Sequence, residues 1–308
     1  MSTTSSTDSY VTPSDKRRAF RAGLASGSLQ RFPGAFSPLV ARSIEDHGFE
    51  GVYVSGAVLS ADLALPDIGL TTLSEVTARA AQIAKVTALP TLVDADTGFG
   101  EPANVARSIE FFEDAGLAGC HLEDQVNPKR CGHLDEKQIV GRSEMLLRVR
   151  AAILARQDSD FVICARTDAR NSEGLESAIE RAKAYVDAGA DMIFPEAMEN
   201  EAEFAAFRAA IDVPLMANMT EFGKSPLLSV TTLENLGYNM VIWPVTLLRL
   251  AMGVVEEGLS HLASEGTQVA LVERMQTRAR LYELIEYESY NAFDQSLFNF
   301  TVPGGNHD

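Results

Sequence analysis

The chain has 308 residues, 46% hydrophobic and 22% charged, a size that accommodates one large barrel or two ordinary domains. Its 43 acidic against 26 basic side chains give a net charge of −17, which argues against nucleic acid and against an anionic membrane surface as partners. An anionic small substrate is not barred, because local Arg and Lys override the global sign, and no apolar stretch approaches transmembrane length.

Residues 1–14 are rich in Ser and Thr, include Asp8 and lack an apolar core. They read as a disordered tail rather than a signal peptide, and the Lys16-Arg17-Arg18 cluster is the one feature shared with transit peptides. From residue 15 a repeated grammar sets in: a helical pattern, a Gly or Pro, then a short apolar run. Leu29 to Phe36 is a first candidate strand, shortened by Pro33 and Gly34. Gly48 precedes Gly51-Val52-Tyr53-Val54, and Pro90 precedes Thr91-Leu92-Val93. A helix is predicted from Glu101 to Ala115 with Pro102 near its start, and Gly116 precedes Cys120-His121-Leu122. Asp160 precedes Phe161-Val162-Ile163-Cys164-Ala165. A second helix is predicted from Leu175 to Ala188, with Glu176, Glu180 and Arg181 on its outer side. Gly189 precedes Met192-Ile193-Phe194, Pro214 precedes Leu215-Met216-Ala217, and Gly237 precedes Met240-Val241-Ile242-Trp243.

Strands that are continuous apolar runs have both faces buried, and their alternation with amphipathic helices predicts an α/β fold of (β/α)8 TIM-barrel type. An open doubly wound sheet is the competing architecture, but no Gly-rich phosphate loop follows any strand. After Arg249 helical patterns run to about residue 290, longer than one barrel helix needs. A single barrel domain with a C-terminal helical extension is therefore expected over 15–295, with a tail at 296–308. The three Cys, 120, 131 and 164, are odd in number and widely spaced, which suits a reducing cytoplasm rather than a disulfide framework. Cys120 and Cys164 lie in apolar runs and read as core.

In a barrel of this type the chemistry lies at the carboxyl ends of the strands. The polar residues that follow the apolar runs are Ser55, Asp94 and Asp96, Glu123, Arg166 and Asp168, Glu196, and Asn218 with Thr220. Strand periodicity places Asp94 and Asp96 on one side, with Glu123 on the next strand. Such a cluster of hard oxygen donors suits Mg²⁺, which takes one or two carboxylates, waters and substrate oxygens, and lacks the spacing of a zinc site. Arg166 on the same rim suits a substrate carboxylate bound bidentately. His121, inside an apolar strand, reads equally as a satisfied core residue.

One further stretch is set apart by composition. Lys129-Arg130-Cys131-Gly132-His133 combines two cations, a thiol, a Gly and an imidazole, and Pro128 argues against a continuous helix there. Neighbouring cations favour the thiolate of Cys131, and His133 is placed to touch ligand.

These residues resemble the isocitrate lyase and phosphoenolpyruvate mutase superfamily. The carriers are the pentapeptide, Glu123-Asp124-Gln125 before it, and Asp94-Ala95-Asp96-Thr97-Gly98-Phe99-Gly100 upstream. Tyr53-Val54-Ser55-Gly56, Leu65-Pro66-Asp67, Ala165-Arg166-Thr167-Asp168, Phe194-Pro195-Glu196, Asn218 to Gly223 and Met275-Gln276-Thr277-Arg278 match as well. The likeness runs from about Arg21 to Glu288 and is greatest to the 2-methylisocitrate lyase branch. Arg130 in the second motif position, the short chain, and Phe194, Ile242 and Pro244 in place of bulkier side chains separate it from the isocitrate lyases, which would release glyoxylate. Ala57 departs from the Gly that many relatives carry.

The resemblance implies cleavage of a small tricarboxylic acid, 2-methylisocitrate, to pyruvate and succinate in the methylcitrate cycle of propionate catabolism. It implies Mg²⁺, with Mn²⁺ as a substitute, near Asp94, Asp96 and Asp67. Catalytic roles fall on Cys131 as proton donor, Lys129, His133 and a base that is either Tyr53 or Glu123. Substrate binding falls on Ser55, Gly56, Ala57, Gly132, Arg166, Glu196, Asn218, Thr220, Arg249 and Arg278, with backbone N–H groups of 55–57 on the pyruvate-side carboxylate. A cytoplasmic homotetramer whose C-terminal helices exchange between neighbours is the implied assembly.

Overall fold

A computed structural model of the chain describes residues 11–130 and 138–299. Cys131, Gly132 and His133 lie outside them. Among the described residues eight strands occur where the apolar runs predict them: β1 (Gln30–Pro33), β2 (Val52–Val54), β3 (Thr91–Asp94), β4 (Gly119–Glu123), β5 (Val162–Thr167), β6 (Met192–Pro195), β7 (Met216–Asn218) and β8 (Met240–Trp243). All pairings are parallel. They run β2-β3-β4-β5-β6 on one side and β1-β8-β7 on the other. Single bridges close both seams. Gly34 meets Tyr53, with Ala35 N–H donating to Tyr53 O at 2.9 Å, and Ile193 meets Leu215, with Ile193 N–H donating to Pro214 O at 3.0 Å. The eight strands therefore form a closed parallel barrel, which removes exposed sheet edges.

The helices in chain order are α1 (Pro13–Ala25), α2 (Pro38–Asp46), α3 (Gly56–Asp62), α4 (Leu73–Lys85), α5 (Pro102–Asp114), α6 (Arg142–Ala155), α7 (Ala169–Glu173), α8 (Leu175–Asp187), α9 (Glu201–Ala210), α10 (Val230–Asn235), α11 (Thr246–Glu265), α12 (Arg278–Leu284) and α13 (Tyr287–Phe298). The two helices predicted in detail, α5 and α8, lie within a residue of their expected ends. The chain divides into two compact units, residues 1–251 and 252–308. The helices after Met252 thus form a unit of their own, and α13 reaches Phe298, inside the segment expected to be a tail. At the other end α1 already begins at Pro13. Thr12 caps it, its hydroxyl accepting from Asp15 N–H while Asp15 reaches back to Thr12 N–H at 3.0 Å.

Strand alternation sorts the core into two clusters. Phe32, Tyr53, Leu92, Val162, Cys164, Met192, Phe194, Met216, Met240 and Ile242 fill the barrel interior, joined by Phe20 and Leu24 of α1. Val52, Val54, Val93, Cys120, Leu122, Ile163, Ala165 and Val241 pack outward against the helices. Each such fully buried large side chain contributes roughly 1.5–3 kcal/mol. The Lys16-Arg17 cluster has a structural task here. Lys16 Nζ donates to Ala84 O at 2.7 Å and Thr87 O at 2.6 Å, satisfying carbonyls at the end of α4. Arg17 donates to Leu117 O at 2.9 Å and Glu113 O at 2.6 Å. Arg181, expected on the outer side of α8, is buried instead and pairs with Glu173. The 3.6-residue period marks the helix face but not which charges it takes inside.

Gly51 opens β2 against the Phe32 ring, where a Cβ would lie 2.1, 2.3 and 2.5 Å from three ring carbons. Overpacking of this kind costs about 1–3 kcal/mol. Gly51→Ala is expected to lower the unfolding free energy by that amount in denaturant titration; unchanged stability would contradict the packing described.

Candidate active site

The inward positions at the carboxyl ends of the strands carry a polar layer, buried except at half-buried Asn218. Asp94 ends β3, Glu123 ends β4, Arg166 lies near the end of β5, Glu196 follows β6 and Asn218 ends β7. Alternation explains why the layer sits above the apolar interior: Glu123 is two residues from inward His121, Arg166 two from Cys164, and Glu196 two from Phe194.

Asp96 reaches the same side as Asp94, but not as a continuing strand residue. The strand ends at Asp94, and Asp96 has φ 46°, a left-handed conformation that Asp tolerates better than most side chains. Asp96 N–H folds back onto Asp94 Oδ1 at 3.0 Å. Gly56 N–H donates to Asp94 Oδ2 at 3.0 Å. A Cβ at Gly56 would stand 3.0 Å from Asp94 Oδ2 and 3.1 Å from Asp96 Oδ1, so this position needs the close backbone approach that Gly allows. The Gly56 N–H expected to hold a substrate carboxylate is thus already engaged by Asp94. Ser55 caps α3, its hydroxyl accepting from Val58 N–H at 3.5 Å, and Ala57 lies in the first turn of that helix.

Lys129 sits within this acidic group. Its Nζ lies 2.8 Å from Asp96 Oδ1 and also bonds the Asp67 carboxylate. Burial would strip its proton, but Asp96, Glu123, Asp94 and Asp67 hold its pKa well above the usual lysine value. Burial, opposed by Lys129, lifts Asp96 to about 6. Asp94 is also buried, yet His121, Lys129, Arg166 and the Asp96 N–H keep it below the usual carboxylate range.

Arg166 is the second buried cation. Its Nε and Nη2 donate to the two oxygens of Asp168 at 2.9 and 3.1 Å, and Nε lies 3.2 Å from Glu123 Oε2. The guanidinium lies 5.0 Å over the Phe194 ring and its Nη2 is 3.9 Å from Glu196. Burial pushes the Glu123 carboxyl well above its ordinary range despite Arg166, and Glu123 Oε1 has no hydrogen-bond partner among the described residues. Asn218 Nδ2 approaches both Glu196 oxygens at 3.4 Å, and Thr220 is buried.

Tyr53 and His121 form a pair that the sequence did not single out as such. Tyr53 OH and His121 Nε2 share a hydrogen bond of 2.7 Å, their rings stack at 5.8 Å, and Nε2 lies 3.5 Å from Asp94 Oδ1. Burial raises the Tyr53 phenol well above its ordinary pKa and lowers His121 to about 4. His121 is therefore a lumen residue touching the acidic group, not an isolated core imidazole.

Two other expected site residues lie on helices, Arg249 on α11 and Arg278 on α12. Arg249 Nη1 is bound to Glu221, at 2.7 Å to the carbonyl and 2.8 Å to the carboxylate, and its guanidinium stacks 5.2 Å over exposed Phe222. Arg278 opens α12 in the C-terminal unit. Sequence reasoning also passed over Gln125, whose amide clamps Arg130, accepting from its N–H at 2.8 Å and donating to its O at 2.9 Å. Arg148, which donates to Gln125 O at 2.9 Å and Glu123 O at 3.2 Å, was missed too. Their signal was weak, since the bonds they make to this segment are to main-chain atoms.

Among the described residues no three His, Cys, Asp or Glu side chains form a preformed metal cage. The donor set is instead a buried carboxylate pair, Asp94 and Asp96, beside a Glu123 oxygen with no partner among the described residues. That set fits a hard divalent cation which keeps waters and takes oxygens from a substrate.

A family model described as phosphoenolpyruvate phosphomutase matches residues 20–263. The probable 2-methylisocitrate lyase 2 of Corynebacterium glutamicum is 64% identical over 294 residues, covering 96% of each chain. Among solved structures, oxaloacetate acetylhydrolase in complex with the inhibitor 3,3-difluorooxalacetate superposes with a TM-score of 0.88 at 34% identity, covering 94% of this chain and 100% of that one. Phosphonopyruvate hydrolase in complex with oxalate and Mg²⁺ gives 0.83 at 31% identity, with coverage of 91% and 98%.

Because His121 is neutral when folded and ionises near pH 6.5 when unfolded, the unfolded chain binds the extra proton between about pH 4 and 6.5. This contribution to stability is complete above pH 6.5 and is lost as pH falls, by about 1.4 kcal/mol per unit. Between pH 7 and 5 the unfolding free energy of the unsubstituted protein is expected to fall about 2 kcal/mol further than that of His121→Gln; equal slopes in denaturant titrations at the two pH values would refute a neutral buried imidazole.

Proposed function

The chain belongs to the phosphoenolpyruvate phosphomutase family, and from that membership and the geometry of its rim we propose that it is a carbon–carbon lyase that cleaves 2-methylisocitrate to pyruvate and succinate. The observation that carries the reading is the convergence on one buried rim of the Asp94–Asp96 pair, Glu123 and Arg166, in a chain 64% identical along nearly its whole length to a probable 2-methylisocitrate lyase.

Cleavage requires removal of the hydroxyl proton, transfer of an electron pair to the departing carbon, and protonation there. Glu123 is the better base of the two candidates. Its Oε1 has no other described partner, and Arg166, 3.2 Å from Oε2, favours the ionised form that burial opposes, whereas burial holds Tyr53 as a neutral phenol against His121. As the hydroxyl oxygen becomes the pyruvate carbonyl, the carbon–carbon pair passes to the succinate side and develops negative charge there. Asp168 occupies Arg166 through Nε and one Nη2 hydrogen, leaving further N–H donors to meet that charge. Asn218 and Thr220 line the neighbouring strand end. Mg²⁺, with Mn²⁺ as a substitute, would be held by Asp94 and Asp96, with Asp67 nearby through Lys129, and would supply Lewis-acid polarisation of the hydroxyl and adjacent carboxylate oxygens. Cys131, outside the described residues, is assigned the final proton from its place in the Lys-Arg-Cys-Gly-His motif. Phe194 and Ile242, buried beneath the rim, are the side chains proposed to leave room for the substrate methyl.

The remaining parts of the reading are a place in propionate catabolism through the methylcitrate cycle and a cytoplasmic homotetramer. Exposed apolar side chains in the C-terminal unit, Leu259 on α11 and Tyr290, Phe293 and Leu297 on α13, support packing against another subunit. No helix among the described residues is long and apolar enough to cross a membrane.

The purified protein, assayed on 2-methylisocitrate and on isocitrate, is expected to release pyruvate from the first faster than glyoxylate from the second, to stop in excess chelator, and to recover with Mg²⁺. Faster glyoxylate release would move it to isocitrate cleavage, and full activity in chelator would remove the metal. In a variant series, Cys131→Ser and Glu123→Gln are each expected to fold and to lose about 10²-fold or more in kcat, while Tyr53→Phe loses less than about tenfold. A larger loss in Tyr53→Phe than in Glu123→Gln would transfer the base to Tyr53.

A further inference from the structure

Asp124 follows Glu123 in the chain, but alternation turns its side chain away from the lumen, toward α8. It is fully buried and gathers three donors. Oδ1 accepts from Asp168 N–H at 2.8 Å, and Oδ2 accepts from Thr167 Oγ1 at 2.8 Å and from Tyr185 OH at 2.8 Å. Arg181 Nη1 stands 3.7 Å from the same oxygen. Arg181 is in turn held by Glu173 at 2.6 and 2.8 Å and by Val140 O at 3.0 Å. The donors explain why a carboxylate is needed. An Asn in its place has one acceptor oxygen, and its NH₂ would face a donor.

Two of these bonds, from Thr167 Oγ1 and Asp168 N–H, tie Asp124 to the point where β5 ends, and Tyr185 and Arg181 fix Asp124 itself from α8. Two residues back from Asp168 stands Arg166, whose guanidinium is fixed by the Asp168 carboxylate at 2.9 and 3.1 Å. A shift of the main chain at 168 moves that carboxylate, and the guanidinium moves with it. We propose that Asp124 is a positioning residue: from outside the lumen it fixes the end of β5 so that Asp168 presents Arg166 to the reacting substrate. The inference rests on the reading above that Arg166 meets the charge developing during cleavage. It adds a residue that touches no substrate to the set on which the reaction depends.

The test uses full-length Asp124→Asn, Arg166→Lys and the double variant, with kcat and KM for 2-methylisocitrate and the thermal midpoint measured for each. Misplacement of a charge-stabilising group acts on the transition state, so Asp124→Asn is expected to lower kcat about 10- to 100-fold with KM changed less than about threefold. The double variant is expected to be no slower than Arg166→Lys alone, because both substitutions disable the same interaction. If Asp124 only supports the fold, the midpoint drops while kcat per folded site stays at the unsubstituted value, or the two losses multiply; either result overturns the proposal. Should Asp124→Asn fail to fold, Tyr185→Phe removes a single donor. It is expected to lower kcat about threefold to tenfold without deepening the loss of Arg166→Lys, and unchanged kcat or multiplied losses overturn the proposal equally. Unchanged kcat in Arg166→Lys would defeat the reading of Arg166 and the positioning role with it. A loss there with unchanged kcat in Asp124→Asn defeats the positioning role alone.

Discussion

A buried ammonium holds the rim of this barrel together. Asp67, Asp94, Asp96 and Glu123 all act on Lys129, and three of the four carboxylates are buried with it. Two like charges 4 Å apart repel by about 4 kcal/mol at the effective dielectric of a protein surface, and by more when buried. Without positive charge among them the carboxylates would protonate or part. Removing one partner from a buried ion pair costs about 3–5 kcal/mol, because the charge left behind has nothing to replace its water. Arg166 does for Glu123 and Asp168 what Lys129 does for Asp67 and Asp96. A divalent cation kept by two carboxylates is the same solution extended to a substrate's oxygens.

The rim is also anchored from behind. The inward residues of each strand carry the chemistry, and their chain neighbours, turned outward, tie the strand ends to the helices. Arg148 of α6 takes the carbonyls of Glu123 and Gln125, and Tyr185 and Arg181 of α8 reach the carboxylate of Asp124. Gln125 clamps Arg130, beside Lys129, at the entrance to the Cys131 segment. The β-strand period of two thus divides labour between adjacent residues: Glu123 faces substrate space, Asp124 faces scaffold.

Much of this was legible in the chain because it is local. Apolar runs mark all eight strands, most of them set off by Gly or Pro, and α5 and α8 begin and end within a residue of their predicted limits. Less was legible where a residue's partner is distant in sequence. The shared side of Asp94 and Asp96 was inferred from strand alternation, but it arises from a left-handed turn at Asp96 and the close approach of Gly56. Arg181 looked like a surface charge, and Lys16 and Arg17 belonged to a cluster with no structural task visible in the sequence, yet each is buried on carbonyls or carboxylates supplied from elsewhere in the fold.

The sequence by itself determined the barrel, the order of its strands and which residue types stand at their carboxyl ends, since periodicity and turn chemistry depend on neighbours a few positions apart. It also carried the family likeness, because the motif residues are contiguous. Only the tertiary structure decided charge and proton state: that Lys129 is locked to Asp67 and Asp96, that Tyr53 rests on a neutral His121, that Gly56 N–H serves Asp94, and that Asp124 braces the end of β5. Those outcomes depend on burial and on which charges meet across the barrel, and both arise only once strands far apart in the chain are brought side by side.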